Sequence, residues 1–196
     1  MFLLGLTGSI GMGKSTTAKM FEDEGCALWD ADAAVHRLYG AGGAAVEKIG
    51  KLFPDAVADG AVSTAKLREI IAKDETALKT IEGIVHPLVG QDRVEFLNNT
   101  KADIIVLDIP LLFETGGEGK VDAVVCVLTD DETQKERVMA RGVMTETQFE
   151  LIRSKQLPAA TKAERADYVI NTDTMDQARE QVRNVVRDIR EKLQNA

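Results

Sequence analysis

Apolar residues gather in five short runs and are spread at helical spacing through most of the rest of the chain. The runs cover residues 2–7, Cys26-Ala27-Leu28-Trp29-Asp30, the stretch from Ile104 to Asp108, residues 121–128 and residues 167–171. Their length and continuity predict buried strands. A helix is predicted from Lys14 to about Glu24, with Met20 and Phe21 on its apolar side and Gly25 as its stop. Residues 31–39 have helical spacing, which Gly40, Gly42 and Gly43 interrupt. From about 44 to 100 the pattern is helical throughout, in AAVEKIGKLF, TAKLREIIAKDETALKTIEGI and PLVGQDRVEFL, with no strand-like run. Pro87 suits the first turn of the last of these. DDETQKERVMAR and TETQFELIRSKQ read as two amphipathic helices with Gly142 between them, and residues 174–194 as a charged helix with one face on a sheet.

Strands alternating with helices predict an α/β fold, a parallel sheet with helices on both faces. The all-helical stretch 40–100 then reads as an insertion between the second and third strands, and residues 1–39 with 101–196 as the core. In open sheets of this kind a ligand sits at the carboxyl ends of the strands. Asp30, Asp32, Asp108 and a glycine loop at residues 5–16 all fall there.

Composition narrows the classes. A chain of 196 residues with 44% hydrophobic and 29% charged residues fits one globular domain carrying a small subdomain. A formal charge of −8 argues against a broad nucleic-acid surface and leaves room for a local basic pocket around a small anion. Cys26 and Cys126 each lie in an apolar run and read as buried thiols of a reducing cytosol. No run reaches the roughly 20 apolar residues of a membrane span, and the N-terminus lacks a basic leader. The expectation is a cytoplasmic protein with no membrane or nucleic-acid partner, monomeric or a small homo-oligomer.

The candidate chemistry starts in GLTGSIGMGKST. Gly8, four residues, Gly13, Lys14 and Ser15 make a complete Walker A motif. Its glycines let backbone N–H groups turn around an anion, and the following helix points its positive end there. Lys14 would reach the β/γ-phosphates of ATP, and the Ser15 hydroxyl would ligate Mg²⁺. Asp108 stands where a Walker B acid would hold that metal, or else caps the next element. Asp30 and Asp32 can face the crevice, one orienting a cation and one accepting a proton from an attacking hydroxyl. Either could instead cap a helix. Arg137 and Arg141 share a helix face. Toward the phosphates they would act as arginine fingers, with 137–156 as a lid and Gly142 as its hinge; toward water they would pair with acids such as Glu136. His86 either contacts a substrate or caps a helix, and His36 is read as a surface residue. Thr100-Lys101-Ala102-Asp103 imitates a guanine-recognition motif but precedes a strand where that motif follows one.

In order, LTGSIGMGKST, DADAAVHRL, IEGIVHPLV, DIPLLFETG, QKERVMAR, IRSKQ and ADYVIN make the chain resemble the dephospho-CoA kinase family along nearly its whole length. DAD after the second strand, HP in the helical stretch and PLLFE after Asp108 discriminate it from other small P-loop kinases. The resemblance implies a P-loop kinase fold with a five-stranded parallel sheet, a helical CoA-binding region over 40–100 and a lid. It implies phosphoryl transfer from Mg-ATP to the ribose 3′-hydroxyl of dephospho-CoA. Asp32 then resembles the catalytic base and Arg141 the lid arginine. Thr7 and the loop of Gly8, Ser9, Ile10, Gly11, Met12, Gly13, Lys14, Ser15 and Thr16 resemble the phosphate site, and Asn171 falls near the adenine. His86, Pro110, Leu111 and Leu112 resemble part of the acceptor side. Two departures stand out. Asp59-Gly60-Ala61 is followed by Val62-Ser63-Thr64 where the family usually carries an arginine, with Lys66 or Arg68 as the nearest substitutes. Gly142 follows Arg141 where an acid is common. The alternatives are another nucleoside or metabolite kinase on this scaffold, an NTP-hydrolysing switch, which lacks a use for the DAD pair, and a nucleotide-binding module without activity, which would not need Lys14, Asp32 and the lid arginines together.

Overall fold

A computed structural model describes residues 1–195. In chain order the elements are β1 (Phe2–Thr7), α1 (Lys14–Asp23), β2 (Ala27–Asp30), α2 (Ala31–Tyr39) and α3 (Val46–Leu52). Then come β3 (Val57–Ala58), β4 (Ala61–Val62), α4 (Thr64–Lys73), α5 (Glu75–Asn99), β5 (Ile104–Asp108) and β6 (Ala123–Leu128). The chain closes with α6 (Asp131–Ala140), α7 (Glu146–Lys155), α8 (Ala159–Arg165), β7 (Tyr168–Asn171) and α9 (Met175–Gln194). It divides into two compact units, residues 1–29 with 101–196, and residues 30–100.

The first unit is built on a five-stranded parallel sheet in the order β2-β5-β1-β6-β7. Side chains alternate across it. Leu4 and Leu6, Ile104 and Val106, and Val125 and Val127 share one face, covered by Phe21 of α1 and by Val182, Val186 and Ile189 of α9. The α9 residues recur at three- and four-residue spacing, which makes one apolar stripe on an otherwise charged helix. On the other face Leu112, Phe113 and Val124 form a second cluster with Leu157 and Ala166. Both thiols are interior, and burial pushes Cys26 and Cys126 each up to about 11. Among the described residues no helix is long and apolar enough to cross a membrane.

In the second unit Leu38, Ile49, Leu67, Ile81, Val85 and Leu88 form the core. Arg37 of α2 holds Asp92 of α5 with two guanidinium donors, at 3.1 and 2.6 Å. Such a fork fixes the crossing of the two helices better than a single bond would. This packing draws α2 into the helical unit, so the first unit's leading segment ends at Trp29 rather than at the residue 39 that the sequence suggests.

Two local expectations change, and one helix appears where none is predicted. Pro87 does not open a helix: α5 runs unbroken through it for 25 residues. An internal proline loses one backbone bond and crowds the carbonyl of residue i−4, at a cost of about 3 kcal/mol. Here that carbonyl belongs to Gly83, and the burial of Ile81, Val85 and Leu88 on either side outweighs the loss. The stretch 44–100 is not free of strands, since β3 and β4 pair through Val57–Val62 and Ala58–Ala61. Their turn, Asp59-Gly60, has φ of 50° and 74°, the left-handed pair that closes a two-residue hairpin. Finally, α8 forms in a segment with no strong periodicity and delivers Lys162 to the interior.

Candidate active site

The loop between β1 and α1 makes a cradle of backbone donors. Gly11 and Gly13 have φ of 79° and 86°, a region side-chain-bearing residues rarely enter. A Cβ on Gly11 would also meet Val138 Cγ2 at 2.6 Å, so this turn requires glycine on both counts. Among the described residues the N–H groups of Gly11 and Gly13 have no protein acceptor, whereas Met12 N–H reaches Ser9 O at 3.2 Å. Unpaired donors at a helix N-terminus form an anion site. Lys14, the first residue of α1, carries its ammonium to Asp108 at the end of β5 and ion-pairs with it. Asp108 is only 2% exposed, so the pair keeps a buried carboxylate compensated. Ser15 and Thr16 follow on the exposed first turn of α1.

The surrounding residues of this unit fix the loop's shape. Thr172 donates its hydroxyl to Met12 O at 2.9 Å and in turn accepts from Arg137 Nη1 at 3.0 Å, while Arg137 Nη2 donates to Thr172 O at 2.6 Å. Two of the five N–H donors of Arg137 are thus used on Thr172, and its guanidinium ties α6 to the loop after β7. Arg141, one turn on, is exposed and lines a cavity of about 160 Å³ together with Gly13, Thr16 and Arg137. The shared face predicted for the two arginines is thus present, with Arg141 as the available cation. Asn171 ends β7, its N–H bound to Gln181 Oε1 at 2.9 Å.

The loop after β5 separates three residues that the sequence groups together. Leu111 is 43% exposed. Leu112 is fully buried and packs over Gly5, where a Cβ would lie 2.8 Å from it, so its side chain is core and does not present itself to an acceptor. Pro110 offers its carbonyl to the Thr7 hydroxyl at 3.0 Å. Thr7 is itself fully buried, so it anchors this loop and does not face a phosphate. Pro110 O also accepts from Lys162 Nζ at 3.4 Å, and Lys162 pairs with Glu114 at 2.8 Å. Burial pushes Glu114 up, but the Lys162 ammonium and the Leu157 N–H together hold it below the ordinary glutamate range.

The second unit carries Asp30, Asp32 and His86. Asp30 is the cap of α2, accepting from Ala33 N–H at 2.9 Å. Asp32 is exposed on the first turn of α2 with no hydrogen bond or ion pair among the described residues. The two acids therefore divide the roles the sequence left open: one is a cap and the other is available. His86 is exposed on α5 and caps nothing, and His36 is a surface residue of α2.

Thr172, Lys162, Glu114, Gln134 and Gln156 escape the sequence reading. Glu114 and the two glutamines do lie inside the ordered motifs DIPLLFETG, QKERVMAR and IRSKQ, which is a signal; a buried lysine in a weakly periodic helix gives none.

Comparison with known proteins follows the same outline. The family model described as CoaE, dephospho-CoA kinase, matches residues 2–177. A dephospho-CoA kinase of Ruegeria pomeroyi is 66% identical over 189 residues, covering 96% of each chain. One from Jannaschia sp. is 54% identical over 191 residues, covering 97% of this chain and 98% of the relative. A crystal structure from Thermus thermophilus superposes with a TM-score of 0.86 at 32% identity, covering 94% of this chain and 95% of the other. The protein belongs to the dephospho-CoA kinase family of P-loop kinases.

Proposed function

We propose that the protein transfers the terminal phosphoryl group of ATP to the ribose 3′-hydroxyl of dephospho-CoA, giving coenzyme A in the last step of its synthesis. The observation that carries the reading is 66% identity to a curated dephospho-CoA kinase across 96% of both chains, with the Walker loop, Lys14 and Asp108 intact.

In this reading the free N–H groups of Gly11 and Gly13 and the ammonium of Lys14 hold the β- and γ-phosphates. Gly8, Ser9, Ile10 and Met12 shape the loop, and Thr16 and Asn171 face the nucleoside end. Ser15 and Asp108 would hold Mg²⁺. The fit is chemical, since a hydroxyl and a carboxylate are the hard oxygen donors this ion prefers. Among the described residues no group of three metal-binding side chains exists, so the ion would arrive with the nucleotide's phosphates rather than in a cage of its own. Bound there, it would neutralise charge on the transferring phosphoryl group. Asp32, unpaired on α2, takes the proton of the attacking hydroxyl. Arg141 supplies the positive charge of the lid. The helical unit 30–100 carries the acceptor through His86 and its neighbours. Without the family's usual arginine at Thr64, Lys66 or Arg68 of α4 serves the acceptor. The protein works in the cytoplasm, as a monomer or small homo-oligomer, with no nucleic-acid partner.

The test is ADP release coupled to a dye reaction, with Mg-ATP and dephospho-CoA, beside other acceptors and a control without acceptor. Release that depends on dephospho-CoA, with a product heavier by one phosphoryl group, is the expected result. Release with a different acceptor would keep the kinase and discard this substrate; release without any acceptor would replace transfer by hydrolysis.

A further inference from the structure

Two consecutive peptides of the Walker loop, one on each side of the Ile10 Cα, are held by side chains. Ile10 N–H donates to Gln156 Oε1 at 3.1 Å, and Ile10 C=O accepts from Gln134 Nε2 at 2.7 Å. Gln134 is buried on α6, whereas Gln156 is half-buried at the end of α7. Each peptide is planar, so Gln156 orients the Ser9–Ile10 plane and Gln134 the Ile10–Gly11 plane, and together they restrict the two backbone torsions of Ile10 between them. The second plane carries the Gly11 N–H, one of the unpaired donors of the anion cradle. Gln134 thus orients the plane in which the cradle begins, and Gln156 the plane just before it.

Gln156 also joins that plane to the end of α7 and, through its neighbour, to the loop after β5. It follows α7 directly, and its neighbour Leu157 donates its N–H to Glu114 Oε1 at 3.0 Å. Two consecutive residues therefore tie the end of α7 to the Walker loop and to the loop after β5. The Gln156 side chain is not core packing: with Ser9, Arg153 and Ser154 it lines an open cavity of about 470 Å³.

We propose that Gln156 is a positioning residue for phosphoryl transfer, acting through the Ser9–Ile10 peptide to hold the Walker loop in register with the end of α7. The inference rests on the kinase reading for its kinetic consequence and on geometry alone for the clamp. A misplacement of the order of 1 Å at such a point can slow a reaction about 100-fold while leaving binding largely in place.

The experiment compares Gln156→Met and Gln156→Glu. Both keep the length of the side chain, and only the second keeps an acceptor oxygen for Ile10 N–H. Exchange of the Ile10 amide, followed by NMR without nucleotide, is expected to be slow in the wild type and in Gln156→Glu and at least about 10-fold faster in Gln156→Met. With saturating Mg-ATP and dephospho-CoA, kcat should fall about 10- to 100-fold in Gln156→Met, with calorimetric ATP affinity within about threefold of the wild type. Gln156→Glu should recover most of kcat and show a raised KM for ATP, because its charge opposes the phosphates. A normal kcat in Gln156→Met, or equal losses in both variants, would overturn the proposal, as would unchanged Ile10 exchange. A wild type idle on dephospho-CoA would bring down the substrate reading alone, since the exchange pattern tests the clamp without any acceptor.

Discussion

Individual residues carry the chemistry here according to whether the fold leaves them a free valence. Asp30 and Asp32 are the same type two positions apart, yet one caps α2 and the other has no partner among the described residues. Asp32→Asn is therefore expected to lower kcat by about 100- to 10,000-fold, the range for losing a general base, with ATP affinity unchanged by calorimetry. Turnover near the wild-type rate would take Asp32 out of the proton transfer. Arg137 and Arg141 differ in a similar way, because Thr172 takes two of the guanidinium donors of the first, while the second is exposed. The thiols show the opposite case. Burial pushes Cys26 and Cys126 up to about 11, so neither ionises near neutrality. A disulfide dye at about pH 8 should leave the native protein untouched and titrate both thiols once denaturant is added. Rapid labelling of the native chain would contradict their burial.

Elements formed where pattern and burial agree, and the sequence misleads where tertiary packing overrides a local rule. The central strands were legible because continuous apolar runs such as Ile104 to Leu107 have little use outside a parallel sheet. The Walker loop was legible because its glycines and lysine have one joint chemical meaning. The hairpin of β3 and β4 was not, since two-residue strands are too short to alternate, although Asp59-Gly60 is a strong turn signal. The clamp on Ile10 was illegible for a different reason: glutamine has no preferred chemistry, and only the fold brings positions 134 and 156 to the two peptides that flank the Ile10 Cα. Pro87 is the sharpest conflict, a residue that belongs at a helix start held inside one by Ile81, Val85 and Leu88. Pro87→Ala restores the missing N–H opposite Gly83 and removes the ring. It is expected to stabilise the protein by about 2 kcal/mol, the helix penalty less the proline's restriction of the unfolded chain. Urea unfolding followed by helical circular dichroism measures this; a loss of stability would show that α5 needs the bend that proline imposes.

At the scale of the molecule, the buried pair of Lys162 and Glu114 joins chain segments distant in sequence. Lys162 has no exposure, reaches Glu114 at 2.8 Å and Pro110 O at 3.4 Å, and so draws α8 onto the loop after β5. Thr7 at the end of β1 grips the same carbonyl. A buried pair contributes little net stability against an apolar substitute, yet losing one partner leaves the other charge uncompensated. Lys162→Met should therefore cost about 3–5 kcal/mol, and the double variant Lys162→Met with Glu114→Gln should regain much of it. The pH dependence fixes which charge matters. Glu114 titrates below its ordinary 4.5, the upward push of burial being exceeded by Lys162 and the Leu157 N–H. Its folded-state pKa is thus depressed, and the stability it contributes is complete above the unfolded value and is lost as pH falls through the folded one. Urea unfolding of wild type and Glu114→Gln, run from about pH 7 down to about pH 3, should show the wild-type advantage constant near neutrality and shrinking only in the acid limb. An advantage that persisted unchanged into acid would mean that the loop is held by packing of Leu112 and Phe113 alone. A vanished advantage would show that the loop after β5 is fastened by charge.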